Sequence, residues 1–153
     1  MTDLILQALY SGLLQGGSYA LIALGLALVF GTTKVINLAH GELVLLAAYI
    51  AYTVESSLGV NPVLAIPAAL IIVCISAVIM YFLVSLVKTD RELNSLILTY
   101  GLGVILTNAI LLIWSADIRS TSSAWLQDAI VVGPLYSMRS EPVFFVVSVV
   151  LSL

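Results

Sequence analysis

Gly31-Thr32-Thr33-Lys34-Val35-Ile36-Asn37-Leu38-Ala39-His40-Gly41-Glu42 is the stretch on which the fold turns. It holds the only histidine, one of five basic residues and one of eight acidic ones. Upstream, Leu4 to Phe30 carries no charge, and neither does Leu43 to Val54 downstream. Ionisable groups facing lipid are too costly to tolerate. A polar knot between two apolar segments therefore sits at a membrane surface, in a protein interior or on a water path.

Composition sets the class. Hydrophobic residues make up 62% and charged residues 8% of the 153 residues, against roughly 45–50% and about 25% in a soluble domain. This composition predicts an all-α integral membrane protein. With a net charge of −3 and no basic run, the chain has no footprint for nucleic acid. Cys74 is the single cysteine, so no intrachain disulfide can form, and it reads as a small core residue. A cleaved signal peptide is not expected: the first residues carry Asp3 instead of a basic group, and the apolar run exceeds a signal core of about 7–15 residues.

Outward from the knot, the chain divides into apolar runs. Leu4–Phe30 as a straight helix would reach about 40 Å, beyond a hydrocarbon core of about 30 Å. Tilt or a break must absorb the excess. Gly16-Gly17-Ser18 is the expected place for a break or a close helix contact, and Gly12 with Gly16 forms a GxxxG pair. The second run spans Leu38–Val54, with Asn37 as its cap. On this helix Asn37, His40, Gly41 and Val44 share a face, and Ala47, Ala48 and Ala51 permit tight packing. Glu55–Asn61 reads as a polar turn. Asn61-Pro62 reads as a cap and first helical residue opening Pro62–Val87, with a kink expected at Pro67. Thr89-Asp90-Arg91-Glu92 has the capping-box form and starts a fourth run to Trp114, which holds Thr99, Thr107 and Asn108. Ser115–Glu141 reads as a polar loop, with Trp114 and Trp125 in the interface belt. Pro142 opens a fifth apolar run that reaches Leu153, short of the about 20 residues a span needs. The expected architecture is a multi-span helix bundle of about four complete helices plus the start of a fifth. Residues 1–153 are then expected to be the N-terminal part of a single transmembrane domain.

The chain has no Walker P-loop, no GxSxG elbow and no HExxH. His40 has no cysteine or second histidine beside it. Neither a metal site nor a nucleophilic triad, nor any cofactor, is expected, and the chain does not read as an enzyme. Two readings of Asn37, His40 and Glu42 stay open. They line a substrate path or gate, or they are structural: Asn37 caps a helix, His40 bonds a carbonyl of a neighbouring helix, and Glu42 pairs with Lys34. Thr107 and Asn108 likewise line a cavity or tie helices together.

Gly17-Ser18-Tyr19-Ala20-Leu21-Ile22-Ala23-Leu24-Gly25, Phe30-Gly31 and Val35-Ile36-Asn37-Leu38-Ala39-His40-Gly41-Glu42 closely resemble the permeases of branched-chain amino acid ABC transporters, the LivH-like family. Leu96-Ile97-Leu98-Thr99-Tyr100-Gly101-Leu102-Gly103 and Leu106-Thr107-Asn108 resemble a second family segment. The resemblance implies a multi-pass permease subunit of a bacterial inner membrane. It would carry branched-chain or other hydrophobic amino acids, and relatives also carry urea or short amides. The implied partners are a second homologous permease, two cytoplasmic ATPase subunits, a periplasmic substrate-binding protein and the lipid bilayer. ATP hydrolysis would sit on the separate ATPases. Asn37, His40, Gly41, Glu42, Thr99 and Asn108 are then candidates for the translocation path or gate. Gly12, Gly16, Gly17 and Gly25 are candidates for helix packing. The family's segment that couples to the ATPase lies beyond a fifth helix, so a chain of this length is expected to be a fragment that does not couple ATP hydrolysis alone. A small structural membrane protein and a channel-like pore are the competing classes.

Lys34 and the Lys88/Arg91 loop against Arg119 and Arg139 put the N-terminus outside by the positive-inside rule. Cysteines placed at Ser57 and Thr121 are expected to label from the periplasmic side, and one at Thr89 is not. Reversed labelling overturns this orientation.

Overall fold

The computed structural model describes residues 1–117, 119, 128–133 and 135–152. Trp125 and Thr121, named above for the interface belt and for labelling, lie outside them. The described elements are α1 (Thr2–Thr33), α2 (His40–Leu58), α3 (Pro62–Ser85), α4 (Arg91–Trp114), β1 (Ala129–Val132), β2 (Leu135–Met138) and α5 (Ser140–Ser152). Three of the helices, α1, α3 over Val63–Ser85 and α4, are long and apolar enough to cross a membrane, and α5 is apolar but shorter. Large apolar side chains point outward from them, among them Leu112, Ile113 and Ile105. Such surfaces suit lipid, where the backbone bonds within the helix and the side chains need no water.

The chain forms two compact units. The first contains residues 1–28 and the described part of 122–153. Here α1 passes through Gly16-Gly17-Ser18 without the expected break. The close contact falls on Gly17 alone. A β-carbon there would lie 2.5 Å from Phe145 Cδ2 of α5, whereas nothing lies within 4 Å of one at Gly12 or Gly16. Among the described residues the GxxxG pair therefore meets no neighbour; its spacing marks one helix face, and α5 meets the neighbouring one. Gly25 is half-buried.

Residues 129–138, expected to be loop, form an antiparallel hairpin with Ala129 opposite Met138 and Val132 opposite Leu135. Gly133 opens the turn at φ +62°, a conformation that glycine adopts at no steric cost. Arg139 N–H donates to Asp128 O at 2.9 Å, and the side chains of this pair meet at 3.4 Å. The hairpin is fixed to α1. Gln7 Nε2 donates to Tyr136 O (2.6 Å) and to Ser11 Oγ (3.0 Å), and Gln7 Oε1 accepts from Tyr136 N–H (2.8 Å). Tyr10 Oη and Ser137 Oγ share a bond of 3.2 Å.

The second unit, Val29–Thr121, holds the end of α1 with α2, α3 and α4. α2 packs most extensively on α3 and next on α4. Leu46, Ile50, Ala69 and Ile110 form one buried cluster, with Ala47 and Ala51 against it. Ala39, Leu43 and Met80 form another. α2 starts at His40 and extends to Leu58, so Glu55, expected in a turn, is a buried residue of its last turns. Gly59 ends it in the left-handed conformation, its N–H bonded to Glu55 O at 2.8 Å. Asn61 caps α3 as expected, accepting from Val63 N–H at 2.9 Å, and α3 continues through Pro67.

The capping box at Thr89 does not form. Asp90, left-handed at φ 39°, is the N-cap of α4 and makes no side-chain cap bond. This puts Glu92 one position too early to reach back, and Asn94 Nδ2 instead donates to Thr89 O at 2.8 Å. At the other end of α4, Trp114 turns its indole N–H inward to Thr53 Oγ1 (2.7 Å), its ring centroid 5.3 Å from that of Tyr49. Arg119 stands 5.7 Å from the Tyr52 ring centroid. A hydrogen bond to Tyr52 holds its guanidinium above the ordinary arginine range.

Replacing Gly17 with alanine is expected to force the Phe145 ring aside and cost about 1–3 kcal/mol. Phe145→Ala in the same chain should remove most of that increment. Thermal unfolding of the two single variants and the double variant checks this, and additive effects would contradict the contact.

Candidate functional site

The site is built around the link between α1 and α2. Lys34 ends α1 at φ 56°, its N–H bonded to Phe30 O at 2.8 Å. The chain then passes non-helically over Ile36–Ala39 before α2 begins. In a membrane such backbone needs internal partners, and here it has them. Leu38 N–H donates to Thr99 Oγ1 at 3.2 Å. The single hydroxyl proton of Thr99 faces Leu96 O at 3.1 Å and Ile36 O at 3.4 Å. Asn37 Oδ1 accepts from Ala39 N–H at 3.0 Å, and its carbonyl accepts from His40 N–H at 3.3 Å. Asn37 thus forms the turn ahead of α2, while Ala39 is the cap residue.

The depth of this link follows from α4. Thr99 lies about 12 Å along that helix from Arg91, and Gly103 about half-way along its length of about 36 Å. A β-carbon at Gly103 would lie 3.5 Å from Ala39 Cα and 3.6 Å from Glu42 Cδ. The first turn of α2 therefore meets the middle of α4. Within the polar knot Val35 and Ala39 are buried, Asn37, His40 and Glu42 are half-buried, and Lys34 and Gly41 stay exposed.

Two cavities flank the link. The larger, about 520 Å³, lies between the end of α1, α2 and α3; Asn37, His40 and Thr99 line it with Val35, Val44 and Met80. Its walls are apolar apart from a few polar groups, and among the described residues lining it no Asp, Glu, Lys or Arg occurs. That volume lies within the about 300–1,000 Å³ of small-molecule sites. The smaller, about 150 Å³, lies between α2 and α4 and is lined by Leu38, Glu42, Tyr100, Gly103, Val104, Thr107 and Asn108.

His40 and Glu42 thus serve different cavities. His40 is half-buried and, among the described residues, its ring makes no hydrogen bond, so the expected bond to a neighbouring carbonyl is absent. Glu42 does not pair with Lys34: the ion pairs among the described residues are Arg119–Asp117 and Arg139–Asp128. Turning α2 toward mid-α4 aims Glu42 at Gly103 instead. The helix dipole favours an anion in this first turn by about 0.3–1 kcal/mol, up to ~2 when partly buried. Withdrawing a carboxylate from water costs several kcal/mol, so the dipole alone leaves the larger part unanswered. Gly41 is exposed, with nothing among the described residues within 4 Å of a β-carbon placed there, and the close backbone approach falls on Gly103. Asn108 Nδ2 donates to Val104 O of its own helix at 2.7 Å, so its amide does not tie helices together. Tyr100 and Gly103 were not marked as site residues in the sequence; Tyr100, Gly103 and Thr107 stand at i, i+3 and i+7 of one helix face, which was the available signal. Among the described residues no three His, Cys, Asp or Glu side chains gather into a group that could hold a metal ion.

Apolar spanning helices, a non-helical link braced inside the bundle and flanking cavities define a multi-pass helical membrane protein. Residues 8–153 match the family described as branched-chain amino acid transport system / permease component. The chain belongs to that family. It is 31% identical over 116 residues to the high-affinity branched-chain amino acid transport system permease protein BraD of Pseudomonas aeruginosa, covering 70% of this chain and 38% of that protein. It is 38% identical over 53 residues to LivH of Escherichia coli K12, covering 35% and 17%. It is 33% identical over 104 residues to a probable LivH of Methanocaldococcus jannaschii, covering 67% and 31%. The chain thus spans well under half the length of these relatives. No solved structure matches it.

Thr99→Val is expected to strand Leu38 N–H inside the bundle, at a cost of about 1–3 kcal/mol, while Thr99→Ser keeps the acceptor and most of the stability. Unfolding midpoints of the two variants check this; equal loss in both would remove the hydroxyl from the account.

Proposed function

We propose that the chain is part of the permease subunit of an ABC importer and contributes to the path by which branched-chain or other hydrophobic amino acids cross a bacterial inner membrane. The family match over residues 8–153 carries this reading. A cavity of about 520 Å³ with apolar walls and no charged lining residue among those described is consistent with it. Such walls favour an apolar side chain and would leave a charged one unpaired. Asn37 and His40 offer polar contacts, and Thr99 holds the link that positions both. On this reading the permease works with a second homologous permease, two cytoplasmic ATPases and a periplasmic binding protein. The energy comes from ATP hydrolysed on the ATPases, so no chemistry is asked of this chain and His40 has no proton to move.

The test is leucine uptake by the full-length permease assembled with its ATPases and binding protein, compared with the same complex carrying His40→Gln. Uptake is expected to require all components, and Gln, polar and of similar bulk, should keep most of it at every external pH. Uptake without the ATPases overturns the importer reading. A titration near neutral pH that Gln abolishes in a fully assembled complex overturns the neutral role of His40.

A further inference from the structure

The smaller cavity contains the one carboxylate that the bundle turns toward the middle of α4, and the contents of that cavity decide what it can hold. Glu42 supplies acceptor oxygens and has neither an ion pair nor a hydrogen bond among the described residues. Thr107 and Tyr100 add hydroxyl oxygens. Asn108 also lines it; one N–H of its Nδ2 is bonded to Val104 O, which leaves its carbonyl oxygen and the second N–H. Leu38, Gly103 and Val104 complete the wall, and no lysine, arginine or histidine is among the described residues lining it. Every side-chain polar group there can accept, and one is an anion. Oxygen acceptors around a negative charge suit a hard monovalent cation or an N–H-bearing cation. The volume of about 150 Å³ admits a compact group and not a whole branched-chain amino acid. Anions do not suit such a site, nor do soft metals, which require thiolate or imidazole ligands.

We propose that Glu42, Tyr100, Thr107 and Asn108 form a site for a compact cation, either an alkali ion or a small primary ammonium ion, bound between α2 and α4. The site is separate from the larger cavity: no residue lines both. Glu42 is half-buried in the first turn of α2, its Cδ 3.6 Å from where a β-carbon at Gly103 would lie, while Tyr100 and Asn108 stand on the exposed side of the cavity; a bound positive charge would balance the carboxylate there.

The experiment uses the full-length permease in its complex, purified into lipid nanodiscs. Its thermal midpoint is followed while choline chloride is replaced, at constant ionic strength, by sodium, potassium or methylammonium chloride. Choline has no N–H to donate and serves as the blank. A saturable rise of a few degrees is expected with at least one compact cation, since a ligand that binds the native state raises its stability by mass action. Glu42→Gln should move the half-saturating concentration by about tenfold or more, through loss of a charge-assisted contact, and Thr107→Val should move it less. A response to methylammonium alone assigns the site to an ammonium group, and a response to sodium or potassium assigns it to a free ion. Binding of radiolabelled sodium and methylamine to the unsubstituted complex provides the same readout if Glu42→Gln does not fold. Identical midpoints in choline and in every compact cation, or the same response in wild type and a folded Glu42→Gln, overturns the proposal. The readout is independent of uptake, so its failure is distinct from failure of the transport reading.

Discussion

A single threonine hydroxyl holds the α1–α2 link at depth. Without Thr99 Oγ1, the N–H of Leu38 would have no partner in a setting that offers no water. The rest of the second unit follows from that bond. It holds Ile36–Ala39 against α4, which brings Ala39 to the one position on that face with no side chain, Gly103. With the backbones that close, the first turn of α2 has its sides opposite different neighbours, and a cavity opens on each. His40 and Glu42 are two residues apart and point in different directions around a helix, so one polar knot feeds two chemically distinct spaces.

The helix ends that were legible in the sequence carried short-range chemistry. Asn61-Pro62 announced α3 because a cap and a fixed φ act within two residues. The misread ends needed information from elsewhere in the chain. Thr89 and Glu92 have the right spacing for a box, yet the backbone at Asp90 turns left-handed and shifts the start by one position. Glu55 looked like a surface charge because it adjoins Ser56 and Ser57, but the αL stop at Gly59 keeps it inside α2. The hairpin was the largest omission. Gly133-Pro134 was a turn signal, but Ala129–Val132 and Leu135–Met138 are too short for their alternation to stand out from a loop.

The candidate site was legible as a set of residues and not as an arrangement. Asn37, His40, Glu42, Thr99 and Asn108 all lie at or beside the two cavities. Which cavity each serves depends on how deep α2 meets α4, and that depth is encoded in a tertiary bond rather than in any periodicity. Glycine shows the same limit: Gly12 and Gly16 have the familiar GxxxG spacing and open surroundings among the described residues, while Gly17 and Gly103, outside that motif, sit under Phe145 and Ala39. Spacing reports a shared face but does not report which face a neighbour will choose.

Gln7 has a consequence for what the hairpin can join. A two-stranded sheet exposes two rows of unpaired backbone groups, and such rows recruit further strands. Tyr136 points its N–H and C=O away from β1, and the carboxamide of Gln7 meets both, as a peptide group of a third strand would. One side chain on a helix thus ends the sheet on the β2 side at the position where an incoming strand would begin to pair. Any growth of this sheet has only the β1 side left to it.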